Sequence, residues 1–183
     1  MIRITAGEHK GLVLAAPKQL RATEAKVRLA IFNILGDFVV GARVLDGFAG
    51  SGSLGIEALS RGAAFAAFVD ADTDSALSIR DNLETVGASP DTWKILHLEM
   101  ERAIPALAQS QQPFDVILLD PPYRTDDGKK ALNAIAEHAI LARAGLLVIE
   151  HDQRTVLPTV IGPLQHSKRH RYGDTVLSFY QVI

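Results

Sequence analysis

The stretch VLDGFAGSGSLG, residues 44–55, decides the fold of this protein. Its glycines Gly50, Gly52 and Gly55 form a G-x-G-x-x-G motif between a predicted strand and a predicted helix. Glycines at this point let a ligand approach the backbone at a helix N-terminus. Asp70 ends the next predicted strand, where a carboxylate can accept hydrogen bonds from ribose hydroxyls. The stretch therefore predicts an α/β sheet that holds a ribose-containing ligand at one edge.

After this stretch, strand patterns alternate with helix patterns along the chain. The predicted strands cover residues 42–46, 63–70, 93–98, 114–120 and 145–151. The predicted helices cover residues 53–61, 73–87, 99–108 and 128–141. Since strands joined by helical crossovers of this length run parallel, the alternation predicts a mostly parallel sheet.

Both ends of the chain depart from this alternation. Residues 166–172 and 175–183 flank a short turn and predict an antiparallel hairpin that completes a seven-stranded sheet. Near the start, a short hairpin within residues 2–14 precedes a helix over residues 23–35. We therefore divide the chain into an N-terminal appendage, residues 1–22, and a main domain, residues 23–183.

The composition excludes several classes of protein. The 183 residues include no cysteine, which excludes disulfides, thiolate zinc sites and cysteine nucleophiles. The six histidines show no metal-ligand spacing, so no metal site is predicted. No apolar run reaches the roughly 18–20 residues of a membrane span, and no secretory signal opens the chain. We expect a cytoplasmic protein that is not attached to a membrane.

Charge is distributed unevenly along the chain. Residues 1–28 contain six basic and two acidic residues, whereas residues 36–127 contain six basic and fifteen acidic residues. Residues 151–183 are again basic, with four basic and two acidic residues. The two basic ends are either an ordinary solvated surface or a binding surface for a polyanion.

Asp46 separates two interpretations of the glycine loop. The same motif is typical of dinucleotide-binding folds, whose pyrophosphate would be repelled by a carboxylate just before the loop. A cationic ligand would be attracted instead, and S-adenosylmethionine carries an amino group, a sulfonium and a ribose. The string D-x-F-x-G-x-G, here Asp46, Phe48, Gly50 and Gly52, resembles the first motif of class I methyltransferases. On the loop alone, a nicotinamide-dependent oxidoreductase stays open as an alternative.

The segment FDVILLDPPY, residues 114–123, ends the fourth core strand with a carboxylate and an aromatic ring. Pro121 and Pro122 lack N–H donors, so together with Asp120 they form an array of hydrogen-bond acceptors. Such an array suits an exocyclic amino group of a nucleobase, whose localised lone pair can attack an electrophilic methyl group. Tyr123 offers a face on which a base can stack, a contact worth about 1–3 kcal/mol.

Beyond these motifs, the chain resembles one family nearly from end to end. The segments that carry the likeness are IRITAGEHKGLVLAAP, LRATEAKVRLAIFNIL, FAGSGSLGIEALSRGA, DPPY and RYGDTVLSFY. They are similar to the bacterial RsmD family, which methylates N2 of one guanine in 16S rRNA with S-adenosylmethionine and releases S-adenosylhomocysteine. The resemblance implies a Rossmann-like class I methyltransferase fold, a monomer, and 16S rRNA in assembled or nearly assembled small subunits as the partner.

The resemblance also implies roles for individual residues. The cofactor-binding residues would be Asp46, Gly47, Phe48, Ala49, Gly50, Gly52, Asp70, Ala71, Glu99 and Met100. The catalytic residues that hold the guanine would be Asp120, Pro121, Pro122 and Tyr123. The residues expected to contact RNA phosphates, by their charge and place near the two ends, are Arg3, Lys10, Arg21, Lys26, Arg28, Arg169 and Arg171.

The chain departs from the family pattern in two places. The family's Arg-Pro-Thr-Thr-Asp-Arg is here residues 21–26, in which Ala22 replaces proline and Glu24 adds a negative charge. Glu99 stands where the family has aspartate beside the adenine.

Two further functions stay open beside the oxidoreductase. They are methylation of adenine N6 in DNA or another RNA, and RNA binding without catalysis.

Overall fold

An eight-stranded sheet forms the centre of the molecule in the computed structural model, which describes residues 2–16 and 25–183. A separate antiparallel hairpin precedes it, made of β1 (Ile2–Arg3) and β2 (Val13–Leu14). The strands of the sheet are β3 (Arg43–Gly47), β4 (Phe65–Asp70), β5 (Trp93–His97), β6 (Phe114–Leu119), β7 (Leu141–Asp152), β8 (Val160–Ile161), β9 (Leu164–Tyr172) and β10 (Thr175–Val182).

Helices cover both faces of this sheet. The α-helices are α1 (Ala25–Leu35), α2 (Ser53–Ser60), α3 (Thr73–Thr85), α4 (Met100–Ala108) and α5 (Asp127–His138). Two short 3-10 helices occupy Gly36–Val39 and Pro90–Thr92. None of the helices in the described part of the chain combines the length and the apolar character that crossing a membrane requires.

The strand order is β5-β4-β3-β6-β7-β10-β9-β8. Strands β3 to β7 pair in parallel, and β10, β9 and β8 add an antiparallel edge. This order confirms the predicted α/β class, the mostly parallel sheet and the C-terminal hairpin. The predicted number of seven strands was wrong, because β8 adds a strand of two residues beside β9. A segment this short carries no recognisable period-two pattern.

The central strands are buried on both faces, as expected when helices cover a parallel sheet. In β3, Val44 packs in a cluster with Phe32 of α1, whereas Leu45 packs in a cluster with Ile104 of α4. With both faces covered by apolar contacts, polar side chains of these strands emerge at the edge where the strands end.

The N-terminal hairpin contributes to the core of the main domain. Ile2, Ile4 and Leu14 are buried in one apolar cluster with Ile56 of α2 and Phe68 of β4. Burying one such aliphatic side chain contributes about 1.5–3 kcal/mol. The predicted division between residues 22 and 23, like the predicted helix start at residue 23, lies outside the described residues and stays a prediction.

A buried carboxylate fastens this hairpin to α2. Glu57 is 1% exposed, and its Oε1 accepts hydrogen bonds from Thr5 Oγ1 at 2.6 Å and from the Ala6 N–H at 3.1 Å. Oε1 also accepts from Arg61 Nε at 2.8 Å, and Oε2 lies 3.9 Å from Arg28 Nε. Burial lowers the pKa of Arg28, and the Glu57 carboxylate opposes that shift. The hairpin is therefore held by paired charges as well as by apolar contacts.

Candidate active site

The candidate site lies where the strand order reverses direction along the chain. Strand β3 pairs with β4 on one side and with β6 on the other, so the loops after β3 and β6 are neighbours. The Asp120 N–H donates to the Gly47 carbonyl at 3.3 Å and joins the two loops directly. Ligands of open α/β sheets bind in the crevice at such a switch point. A cavity of about 1060 Å³ opens there.

The glycine loop has a backbone that few sequences could adopt. Gly50 and Gly52 have φ angles of 56° and 75°, in the left-handed region that favours glycine. Phe48 also has a positive φ, 60°, which costs a residue with a side chain about 1–2 kcal/mol. A Cβ at Gly55 would lie 2.3 Å from Cε1 of Phe68, so this third glycine lets α2 approach β4. The glycine motif thus determines both the conformation of the loop and the packing of α2 against β4.

Asp70 fixes the far side of the glycine loop. Its Oδ2 accepts from the Gly50 N–H at 2.7 Å, and its Oδ1 accepts from the Asp72 N–H at 2.9 Å. The carboxylate is half-buried at the end of β4 and lines the cavity. It is therefore oriented by the backbone before any ligand arrives, with further lone pairs for hydroxyl donors.

Asp46 is the most deeply buried acid of the site. It is 1% exposed, and its Oδ2 accepts from the Gly55 N–H at 2.8 Å. Burial raises the pKa of Asp46 well above its ordinary value. The Gly55 hydrogen bond opposes this shift, and the neighbouring Asp120 and Asp70 carboxylates add to it. Three acids held this close favour a ligand that brings positive charge.

The charged side chains of the described cavity lining are all acidic. Nine carboxylate residues line the cavity, namely Asp46, Asp70, Asp72, Asp74, Asp81, Glu99, Glu101, Asp120 and Asp127. No lysine, arginine or histidine lines it within residues 2–16 and 25–183. A pyrophosphate placed among these side chains would be repelled. The electrostatics therefore weigh against a dinucleotide and favour a cationic nucleoside.

The acceptor loop, residues 120–123, is braced from the neighbouring strands. Tyr123 Oη donates to Glu150 Oε1 of β7 at 2.9 Å and shares a hydrogen bond with Thr175 Oγ1 of β10 at 3.0 Å. Pro121 is buried and Pro122 is exposed, and all four residues line the cavity. The tyrosine ring is thus fixed by its hydroxyl at the mouth of the site.

The structure brings most of the predicted site residues together. Those that line the cavity are Asp46, Phe48, Ala49, Gly50, Asp70, Ala71, Glu99, Met100, Asp120, Pro121, Pro122 and Tyr123. Gly47 and Gly52 lie behind the lining, where a Cβ at Gly47 would meet Leu119 Cδ2 at 2.6 Å. Glu99 is exposed at the N-cap of α4, whereas the neighbouring Met100 is buried.

Arg28 does not present its charge to solvent. It is 2% exposed, faces Glu57, and donates from Nη2 to the Arg3 carbonyl at 2.7 Å. The expectation that Arg28 contacts RNA was therefore wrong. Helix α1 packs against the hairpin, and the guanidinium of Arg28 is buried there with Glu57 and the Arg3 carbonyl. Arg3 stays exposed, although its Nη1 donates to the Gly11 carbonyl at 2.6 Å.

The other basic residues predicted to contact RNA are exposed where the structure describes them. They are Lys10, Lys26, Arg169 and Arg171, while Arg21 lies outside the described residues. In the sheet, Thr175 of β10 pairs with Asp152 of β7, which puts the turn between β9 and β10 at the carboxyl edge of the sheet. Arg171 is therefore near the edge that carries the acceptor loop.

Two buried polar residues near the site, Asn82 and Glu57, were not predicted from the sequence. Asn82 of α3 donates from Nδ2 to the Ala15 carbonyl at 2.8 Å and to the Ser51 carbonyl at 2.9 Å. Its Oδ1 accepts from the Ala15 N–H at 2.8 Å, so it ties the hairpin to the glycine loop. Glu57 could have been noticed, because an acid within the apolar helix segment SLGIEALS needs a partner.

Comparison with known proteins agrees with this geometry. A family model described as Conserved hypothetical protein 95 matches residues 2–181. YlbH of Bacillus subtilis (strain 168) is 38% identical over 182 residues, 98% of each chain. Ribosomal RNA small subunit methyltransferase D of Escherichia coli (strain K12) is 33% identical over 182 residues, 98% of this chain and 89% of the relative. The solved structure of yhhF from Escherichia coli is 33% identical, with a TM-score of 0.86 over 99% of this chain and 97% of that one.

Proposed function

The chain belongs to the family described as Conserved hypothetical protein 95, the RsmD family that its sequence resembles, and from this membership we propose that it methylates rRNA of the small ribosomal subunit. The finer proposal names S-adenosylmethionine as the donor and N2 of a guanine in 16S rRNA as the acceptor. One observation carries it: the acceptor array at residues 120–123 and residues 48–51 of the glycine loop line the same cavity.

The residues of the cavity fit S-adenosylmethionine. When bound, this cofactor supplies an electrophilic methyl group on a sulfonium centre. Asp46 and the acidic wall would favour its positive charge, and the left-handed backbone at Gly50 lets a ligand approach closely. Asp70 would accept from the ribose hydroxyls. Glu99 and Met100 would border the adenine.

The acceptor loop would prepare the base. Asp120 and the carbonyl oxygens beside it would accept both hydrogens of the exocyclic amino group, which localises the nitrogen lone pair. Tyr123 would stack on the base, and its bonds to Glu150 and Thr175 hold the ring in one plane. The contribution of these residues is positioning and polarisation, with no covalent nucleophile.

The RNA would approach from the side of the two chain ends. We assign phosphate contacts to Arg3, Lys10, Arg21, Lys26, Arg169 and Arg171. Such contacts set register and orientation and carry little sequence information. We further propose that the partner is 16S rRNA in assembled or nearly assembled subunits, that the enzyme is a monomer, and that it acts in the cytoplasm.

Methyl transfer from labelled cofactor tests the proposal. Purified small subunits, naked 16S rRNA and duplex DNA are incubated with the protein, and the modified nucleoside is identified after hydrolysis. N2-methylguanosine in small-subunit RNA is expected. N6-methyladenine would establish the alternative acceptor, and RNA binding without any transfer would leave a binding protein. Consumption of a nicotinamide cofactor would instead support an oxidoreductase.

Replacing Asp46 by asparagine should stabilise the ligand-free protein at neutral pH. Because the folded pKa of Asp46 is raised, wild-type stability should fall as pH rises from the ordinary aspartate pKa through this raised value. The slope from this group is at most about 1.4 kcal/mol per pH unit. Urea unfolding across this pH window should show a shallower decline in the variant. Equal slopes for both proteins would show that Asp46 ionises without penalty.

Replacing Asp70 by alanine should weaken the binding of S-adenosylmethionine and S-adenosylhomocysteine alike. Hydrogen bonds to a charged group contribute about 1.5–3 kcal/mol each, and the change also releases the Gly50 N–H. Calorimetric titration measures both affinities. Asp81→Ala, which removes another carboxylate from the cavity lining, is the matched control and should bind nearly as tightly as the wild type. Unchanged affinity in Asp70→Ala would remove Asp70 from the ribose site.

A further inference from the structure

The acceptor loop is followed by a residue with an unusual backbone. Arg124 comes directly after Tyr123 with a φ of 63°, in the left-handed region that residues with long side chains rarely adopt. This conformation strains a residue that carries a Cβ. Thr125 fixes the turn, since its Oγ1 donates to the Pro122 carbonyl at 3.0 Å. A glycine would adopt this turn without strain, so backbone geometry does not explain the arginine.

Arg124, the residue after the acceptor loop, is exposed. In the described part of the chain it has no hydrogen-bond or ion-pair partner, although two carboxylates follow in sequence. Those carboxylates pair with lysines of α5: Asp126 lies 4.0 Å from Lys129 and Asp127 lies 3.8 Å from Lys130. The arginine charge is thus available to a ligand beside the acceptor loop.

The acidic lining of the cavity leaves a need for positive charge next to the acceptor loop, which Arg124 would meet. A nucleotide whose base enters the cavity brings its own phosphates to the cavity mouth, and the described lining offers them carboxylates and no basic side chain. Within residues 120–127, Arg124 is the one basic residue, and it directly follows Tyr123, on whose ring the base would stack. A guanidinium binds phosphate oxygens through two parallel hydrogen bonds, with a geometry that lysine lacks.

We propose that Arg124 is a substrate-binding residue that contacts an RNA backbone phosphate next to the methylated nucleotide. The contact holds the extruded base in the acceptor loop and offsets the repulsion between the phosphate and the acidic lining. This assignment rests on the proposed function, because it presupposes that an RNA base enters the cavity.

Arg124→Gly is the decisive variant, because glycine relieves the strained φ while it removes the charge. The variant should unfold at the same or a higher temperature than the wild type and bind S-adenosylmethionine equally well. The KM for small subunits should rise about tenfold, the effect of one lost contact of roughly 1.4 kcal/mol. The slope of log affinity for the subunit against log salt should also fall by about 0.7–0.9. Arg124→Lys should lie between the two proteins.

Arg143→Ala is the matched control. Arg143 is also exposed, but it lies near the start of β7, at the opposite edge of the sheet from the acceptor loop. It should leave the KM and the salt slope unchanged. With an active wild-type protein, an unchanged KM in Arg124→Gly would overturn the assignment and leave the function standing, as would an equal rise in Arg143→Ala. A wild-type protein that methylates none of the nucleic acids would overturn the proposed function, and the Arg124 assignment with it.

Discussion

Replacing Asp120 by alanine should lower methylation of small subunits by roughly 10²–10³-fold, the effect of removing one preorganised group from a transition state. The loss should appear in kcat, because Asp120 contacts the reacting amino group more strongly as the transition state forms. Cofactor affinity should change little, because the proposed contacts of Asp120 are with the base and not with the cofactor. Single-turnover methylation and calorimetric titration measure the two effects separately.

Two variants sharpen the Asp120 experiment. Asp120→Asn keeps one acceptor oxygen but adds an amide donor, so its activity should fall between those of the wild type and Asp120→Ala. Asp81→Ala removes another carboxylate from the same lining and should retain nearly full kcat. Near-normal turnover in Asp120→Ala would exclude the acceptor role of this carboxylate and require another group to orient the base.

Replacing Glu57 by alanine should destabilise the protein by about 3–5 kcal/mol, the usual effect of breaking a buried ion pair on one side. The change would leave Arg28 without its carboxylate in a buried position and would remove the acceptor for Thr5 and Ala6. Equilibrium unfolding in urea measures the loss. Hydrogen exchange should show that residues 2–16 open first, because Glu57 fastens the hairpin.

Comparison variants separate this network from a general effect of lost charge. Glu57→Gln keeps acceptor capacity for Thr5 and should cost less than Glu57→Ala. Glu84→Ala removes an exposed glutamate from α3 and should change stability by no more than about 0.5 kcal/mol. A loss below about 1 kcal/mol in Glu57→Ala would mean that water replaces the carboxylate and that the hairpin is held by Ile2, Ile4 and Leu14 alone.

The N-terminal hairpin shows a limit of inferring a binding surface from the number of charged residues in a segment. The positive charge of residues 1–28 was consistent with a binding surface for a polyanion, and Arg28 was among the residues expected to contact RNA phosphates. In the folded protein Arg28 is buried, and Ile2, Ala15 and Ala16 line the cofactor cavity. A linear count of charges does not distinguish an exposed arginine from one that meets a distant glutamate.

The sequence by itself determined the order of strands and helices along the chain, the position of the glycine loop and the position of the acceptor loop. The hydrophobic periods of 2.0 and 3.6 residues that predict strands and helices involve residues close together in sequence. The glycine motif and the DPPY motif are also contiguous, so their residues are neighbours whatever the rest of the chain does. Only the tertiary structure decided that Tyr123 is braced by Glu150, that Asn82 ties the hairpin to the glycine loop, and that Arg28 is buried. The partners in the first two contacts are separated by between 27 and 67 residues, and the burial of Arg28 likewise depends on distant segments. Burial and charge pairing depend on which distant segments meet, and no local pattern records that.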